Sequence, residues 1–259
     1  MRRILTALFG LALTLAPLSI ASAETFDVRQ GNFNWKVYDY NASGQALRVR
    51  QPFFVHEPDG GIAFDFLYTP DTALFITGHP SYRGDLLGDM TGKTITARIG
   101  ITVTSETTPV YTYYGEGTTG NACGEPANVR FFFQTKTNGP FNPSDYWWSN
   151  PVHSLLQNLN DTTVDIANSF EPGLWTNYYG QPDPAGFAIA ARNVVAIGLS
   201  FGGGCFFENG VGIVPGTGSS YFRLMEYSSD SASSVDPLAS VVPELVLAPF
   251  VTPTLISLP

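Results

Sequence analysis

Charge is what this sequence has least of. Only 14% of its 259 residues are Asp, Glu, Lys or Arg, where soluble domains average about 25%. The 13 basic and 22 acidic side chains leave a formal charge of −9. So little Lys and Arg gives no electrostatic footprint for nucleic acid, which excludes that partner. Histidine is scarce: His56, His79 and His153 lie far apart and form no metal spacing. Cysteine occurs only twice. Extended helical patterning is missing, and with it the crossover helices that a parallel sheet needs. What the chain does have is 26 Gly, 19 Pro and 14% aromatic residues. The aromatics exclude a disordered chain. The Gly and Pro exclude a helical bundle, and without an every-third-residue period they exclude collagen. Turn-rich β structure remains.

The cleanest strand signal runs from Lys93 to Thr104, where Ile95, Ala97, Ile99, Ile101 and Val103 alternate with mostly polar residues. Shorter runs are expected over 34–40, 46–50, 62–68, 73–77, 110–114, 129–136, 162–167, 194–201 and 221–227. Turn residues such as Thr91-Gly92 and Pro215-Gly216 separate them. Eight to ten strands predict an all-β protein: one antiparallel β-sandwich over residues 24–230 with at most short helical turns, near 153–158 and 187–192. No repeat of 20 to 50 residues suggests a propeller or solenoid. The stretch Thr137–Pro151 lacks strand alternation and reads as a long loop, functional or locally folded.

The two ends are of a different kind. Arg2 and Arg3, an apolar run from Ile4 to Ile20 and the small residues Ala21-Ser22-Ala23 have the layout of a cleaved secretory signal over residues 1–23. Gly10 and Pro17 interrupt the run and no stop-transfer cluster follows, so no membrane span is expected in the mature chain. Cleavage removes two arginines and no acid, moving the formal balance from −9 to −11. The expected location is secreted, periplasmic or cell-surface. There the even pair Cys123 and Cys205 reads most simply as a disulfide. Residues 231–259 form a Ser-rich linker and an apolar tail broken by Pro243, Pro249 and Pro253. Val242-Pro243-Glu244 resembles the opening of the exosortase sorting tail of bacteria. Position 245 is Leu, however, and the last basic residue is Arg223. A degenerate sorting signal and a disordered end are therefore both open.

Gly198-Leu199-Ser200-Phe201-Gly202 has the spacing of a nucleophile elbow, but a glycine-rich turn follows it and all three histidines precede Ser200. A buried strand ending in a bend is the better reading. No tight pair of carboxylates suggests glycosidase or lyase chemistry, so no catalytic residue is assigned. Asp85 and Asp89, four residues apart between glycines, are the candidate ligands for a structural calcium ion, against the alternative of a solvated turn.

Aromatic clusters are the most functional-looking feature. Tyr111, Tyr113 and Tyr114 fall in one strand, Tyr146, Trp147 and Trp148 in one loop, and Trp175, Tyr178 and Tyr179 in a third segment. A flat exposed ring stacks on the apolar face of a sugar while neighbouring amides and hydroxyls satisfy its oxygens. Tyr146, Trp147, Trp148, Tyr111 and Tyr113 are the candidate ligand-binding residues. The same rings suit a sandwich core equally well, and Trp175 is expected there.

The segment FITGHPSYRGDLLGDMTGKTITARIGIT (75–102) resembles laminin-B-type bacterial jelly rolls. Further on, TTVDIANSFEPGLWTNYYGQ (162–181) and NVVAIGLSFGGGCFFENGVG (193–212) are similar to the closing half of galactose-binding-like domains of exported bacterial proteins. The resemblance spans about residues 60 to 229 and implies a non-catalytic module that binds carbohydrate or extracellular polysaccharide. It transfers no catalytic residue. A structural surface or matrix protein is the alternative, and a polysaccharide-active enzyme the third reading.

Overall fold

Strands build almost the whole of the computed structural model, which describes residues 34–56, 60–118, 123–137, 142–150, 154–204 and 210–231. In chain order they are β1 (Trp35–Tyr40), β2 (Ala46–Arg50), β3 (Phe53–Phe54), β4 (Ile62–Asp65), β5 (Thr72–Thr77), β6 (Lys93–Val103), β7 (Tyr111–Tyr113) and β8 (Asn128–Gln134). The second half adds β9 (Tyr146–Ser149), β10 (Ser154–Leu155), β11 (Thr162–Ser169), β12 (Trp175–Asn177), β13 (Ala196–Gly202), β14 (Val211–Ile213) and β15 (Ser220–Ser231). The one α-helix among the described residues is α1 (Pro184–Ala190). Its start follows capping rules: the Asp183 carboxylate accepts the Gly186 N–H at 3.0 Å, and Pro184 takes the first helical position.

All strand pairings between the named elements are antiparallel. The larger sheet runs β12-β9-β8-β13-β5-β1-β2, with β10 beside β8 and β14 linking β5 to β7. The smaller runs β11-β6-β15-β4-β3. Alternation over Lys93–Val103 becomes an interior strand of this smaller sheet, where β6 pairs with β11 on one side and β15 on the other. Two antiparallel sheets face each other, an all-β sandwich compatible with a jelly roll.

Aromatic rings fill the space between the sheets. Phe64 and Phe222 from the smaller sheet meet Phe75 and Phe201 from the larger one at centroid distances of 5.0–6.5 Å, mostly edge-on. Edge-to-face pairs at such spacing add about 0.5–1.5 kcal/mol each beyond area burial. A second aromatic group, Phe133, Trp147, Phe170, Trp175 and Phe187, closes one end of the same core. Trp175 lies there as its sequence setting predicts. Beside the core, Asp39 is fully buried between Arg48 and Arg50.

Part of the stretch read as a long loop is β9. Pro143–Asp145 makes a short 3₁₀ turn, begun by the Asn142 side chain accepting the Ser144 N–H, and the chain then enters the larger sheet. Four residues with rings on both faces show no alternation, so nothing in the sequence marked the strand. The signal segment, its cleavage site and the apolar tail lie outside the described residues, as do His153 and Cys205.

Candidate functional site

The five aromatic residues singled out as a ligand platform do not form one surface. Tyr111 and Tyr113 on β7 point into the core and are 5% and 4% exposed. The Tyr111 hydroxyl donates to Asn160 Oδ1 at 2.8 Å and lies 2.9 Å from Ser220 Oγ; the Tyr113 hydroxyl donates to the carbonyl of Cys123 at 3.2 Å. Rings so enclosed, with their hydroxyls satisfied inside, pack and do not stack on an external sugar. Trp147 is fully buried between Phe133 and Phe187, and its indole N–H donates to the Ser144 carbonyl at 2.9 Å.

Trp148 and Tyr146 point the other way because successive strand residues alternate. Inward-facing Phe131 and Phe133 on β8 and Leu199 on β13 belong to the main core, so Phe132, Gln134, Ala196 and Ser200 stand on the outer face of the larger sheet. There Ala73, Leu74, Ile76, Phe132, Trp148 and Ala196 make a second apolar cluster. Strand register sets Ile76, Gly198, Phe132, Trp148 and Thr176 in one row across five strands. Gly198 contributes no side chain to that row. The Trp148 indole lies beside Phe132, 5.1 Å between centroids, and reaches across β8 to donate to Ser200 Oγ at 3.0 Å. Trp148 is therefore a packed floor for this face, 5% exposed. Ser200 sits in mid-strand and is fully buried, in keeping with the strand reading of the glycine-flanked serine.

Four half-buried tyrosines, Tyr38, Tyr40, Tyr146 and Tyr178, pack against this floor. They come from β1, from β9 and from the segment after β12, and they sense one another electrostatically. Burial first, then the phenols of Tyr38 and Tyr146, push Tyr40 up to about 12. Burial, Asp145 and Tyr178 together raise Tyr146. Tyr178 lies 6.2 Å from Trp148 and 5.7 Å from the exposed Tyr179. Of the five predicted residues, only Tyr146 joins this rim. Tyr38 and Tyr40 were missed, although the Lys36, Tyr38, Tyr40 alternation on β1 put them on the face opposite Trp35 and Val37.

The tyrosines also fix an alkaline limit. Tyr40 and Tyr111 are raised to about 12 chiefly by burial, and Tyr114 to about 12 chiefly by its hydrogen bond to Asp71. A phenol raised above its unfolded value near 10 contributes stability fully present below pH 10 and lost as pH rises through 12. Circular dichroism should show the β signal collapsing in that window, with the last tyrosinate absorbance appearing alongside it. All 12 tyrosines ionising together near pH 10 with the fold intact would contradict this assignment.

Asp85 and Asp89 do not converge on a third ligand. Asp89 is exposed, and its carboxylate accepts the Thr91 N–H at 3.0 Å; the Thr91 side chain first, and this backbone bond second, lower its pKa. It shapes the turn through Gly92, whose φ of +70° suits glycine. Asp85 uses its backbone carbonyl, which accepts from Lys93 Nζ at 3.1 Å and from Ser229 Oγ. No group of three acidic, His or Cys side chains able to hold a metal occurs among the described residues. Cys123 is half-buried against the core and is not a free thiol.

No helix among the described residues is long and apolar enough to cross a membrane. Fold and face together define an antiparallel β-sandwich with a tyrosine-rimmed apolar floor on the outside of its larger sheet. Compared with known proteins, the chain matches no family model, no curated protein and no solved structure.

Proposed function

We propose that this chain is an exported, non-catalytic jelly-roll protein of galactose-binding-like type, binding uncharged stretches of an extracellular polysaccharide on the outer face of its larger sheet. The observation that carries the reading is the tyrosine rim: Tyr38, Tyr40, Tyr146 and Tyr178 around the Phe132–Trp148 floor, on a face turned away from the other sheet. Phenols present a flat apolar ring together with a hydroxyl, the combination a sugar ring requires. Gln134 and Thr176 border the floor and add polarity without charge. The signal-like N-terminus supports export.

Affinity electrophoresis against neutral and acidic polysaccharides tests it. Tyr146→Ala and Tyr178→Ala should each weaken binding about threefold to tenfold, the worth of one ring contact. The core variant Tyr111→Phe should bind as the parent does. Equal retardation of all variants, or none with any glycan, contradicts the proposal.

A structural surface protein is the second reading. What favours it is the enclosure of Trp147, Trp148, Tyr111 and Tyr113, which gives most of the prominent rings a packing role.

The proposal includes a disulfide between Cys123 and Cys205. The Tyr113 ring lies against Gly203 while its hydroxyl bonds the Cys123 carbonyl, and a Cβ at Gly204 would sit 3.1 Å from Glu125 Cβ. The chain on the near side of Cys205 thus runs beside the chain following Cys123.

A further inference from the structure

Arg223 stands in the middle of β15, on the outer face of the smaller sheet. Its neighbours Phe222 and Leu224 point into the core, so its own side chain points out. Register sets Phe53, Ala63, Arg223, Gly100 and Thr163 in one row across β3, β4, β15, β6 and β11. A methyl group flanks the arginine on one side and a bare glycine on the other. The side chain settles between them and is only 8% exposed.

No acceptor meets it there. Nε is shut off from solvent without a hydrogen-bond partner. The ion pairs among the described residues are those of Arg48 and Arg50 with Asp39 and Asp71. By register the nearest carboxylates on this face are Asp65, one step along the ladder opposite Tyr221, and Glu226, one step the other way beside Arg98; neither forms an ion pair with Arg223. An arginine only 8% exposed, with Nε sealed and no ion-pair partner, is costly to keep, and hydrophobic replacements of buried charges are often neutral or stabilising. Beside it, Phe53 and Tyr221 meet edge-on at 5.6 Å, Phe53 exposed and Tyr221 half-buried.

We propose that Arg223, with the Phe53–Tyr221 pair, is a carboxylate-binding subsite that takes a uronic acid unit, its carboxylate on the guanidinium and its ring against the aromatic pair. Guanidinium matches a carboxylate through two parallel N–H donors, and the counter-ion missing from the fold is supplied by the ligand. Nε is sealed, so the carboxylate approaches the two terminal Nη nitrogens. The net charge of −9 opposes dense polyanions, so isolated uronates in an otherwise neutral glycan suit the site best. This subsite lies on the opposite outer face from the tyrosine rim and stands on a separate observation.

Thermal-shift titration of the full chain with glucuronate, glucose and inorganic sulfate tests the assignment, alongside Arg223→Met and Arg223→Lys. Glucuronate should raise the melting temperature of the parent protein, and glucose should not. Arg223→Met should lose the glucuronate response, about tenfold to hundredfold in affinity, while melting at or above the parent temperature without ligand. Arg223→Lys should keep a weakened response. A purely structural role predicts the reverse for Arg223→Met: a lower melting temperature and an unchanged response. That result, no response of the parent to glucuronate, or a response to sulfate alone overturns the proposal.

Discussion

Replacing Asp39 with alanine should cost about 3–5 kcal/mol of folding stability, the usual penalty for stranding the partners of a buried ion pair. Asp39 is fully buried on β1, and both of its oxygens are engaged. Oδ2 accepts Arg48 Nε at 2.6 Å and Arg50 Nε at 2.8 Å, and Oδ1 accepts Arg50 Nη2 at 2.9 Å. Arg50 also donates to Thr72 Oγ1 and to the Asp65 carbonyl, and its guanidinium lies 5.6 Å from the Phe64 ring centre. Arg48 extends the knot to Asp71, whose carboxylate accepts the Tyr114 and Thr69 hydroxyls. Without Asp39, Arg50 is left with neutral acceptors in a half-closed site, whereas Arg48, 47% exposed at its side chain, can turn to water. Most of the penalty therefore falls on Arg50. Against a typical total of about 5–15 kcal/mol this is a large share. The denaturation midpoint should fall sharply, and a loss below about 1 kcal/mol would show the knot to be incidental. The knot also holds β2 to β1 where the ladder slips a register between Asp39 and Tyr40. Binding by the tyrosine rim should weaken with it.

Loss of the proposed Cys123–Cys205 bridge should be of similar size. A loop of about 80 residues closed in the unfolded chain corresponds to roughly 4–5 kcal/mol in the chain-entropy treatment. The paired variant Cys123→Ser, Cys205→Ser should unfold at markedly lower denaturant, and reduction of the parent protein should reproduce that shift. Each stands on the same geometry: Tyr113 touches Gly203 with its ring and Cys123 with its hydroxyl. Two thiols that label in the native, unreduced protein, or a reduced protein as stable as the oxidised one, would defeat the pairing.

Much of the sandwich is written locally. β6 has one buried face, so its alternation is plain, and β1, β2, β5 and β11 follow the expected ranges to within a residue or two. β8 and β13 are buried on both faces along their whole length, which erases alternation; composition and flanking turns marked them instead. β9, β12 and β14 are too short to show a period.

The site was harder to read, because it depends on which face each ring takes. Trp147 and Trp148 are adjacent in sequence and lie on opposite sides of one sheet, so no count of aromatics could separate core from floor. The rim is assembled from Tyr38, Tyr40, Tyr146 and Tyr178, residues brought together only by the strand order β12-β9-β8-β13-β5-β1. Low charge, the first thing missing from the sequence, leaves Lys36 and Arg130 as the cations that register sets on that face, and the proposed preference for an uncharged glycan rests on the tyrosine rim. The same scarcity makes Arg223, without a counter-ion, conspicuous once the sheet is in place.

The most direct test of the central claim is a glycan titration followed residue by residue by nuclear magnetic resonance. Oligosaccharides from a polysaccharide that retards the protein should shift the signals of Tyr38, Tyr40, Tyr146 and Tyr178 together, leaving Tyr111 and Tyr113 still. Shifts confined to other surfaces, or no shift with any neutral or acidic glycan, would contradict a carbohydrate-binding face on the larger sheet.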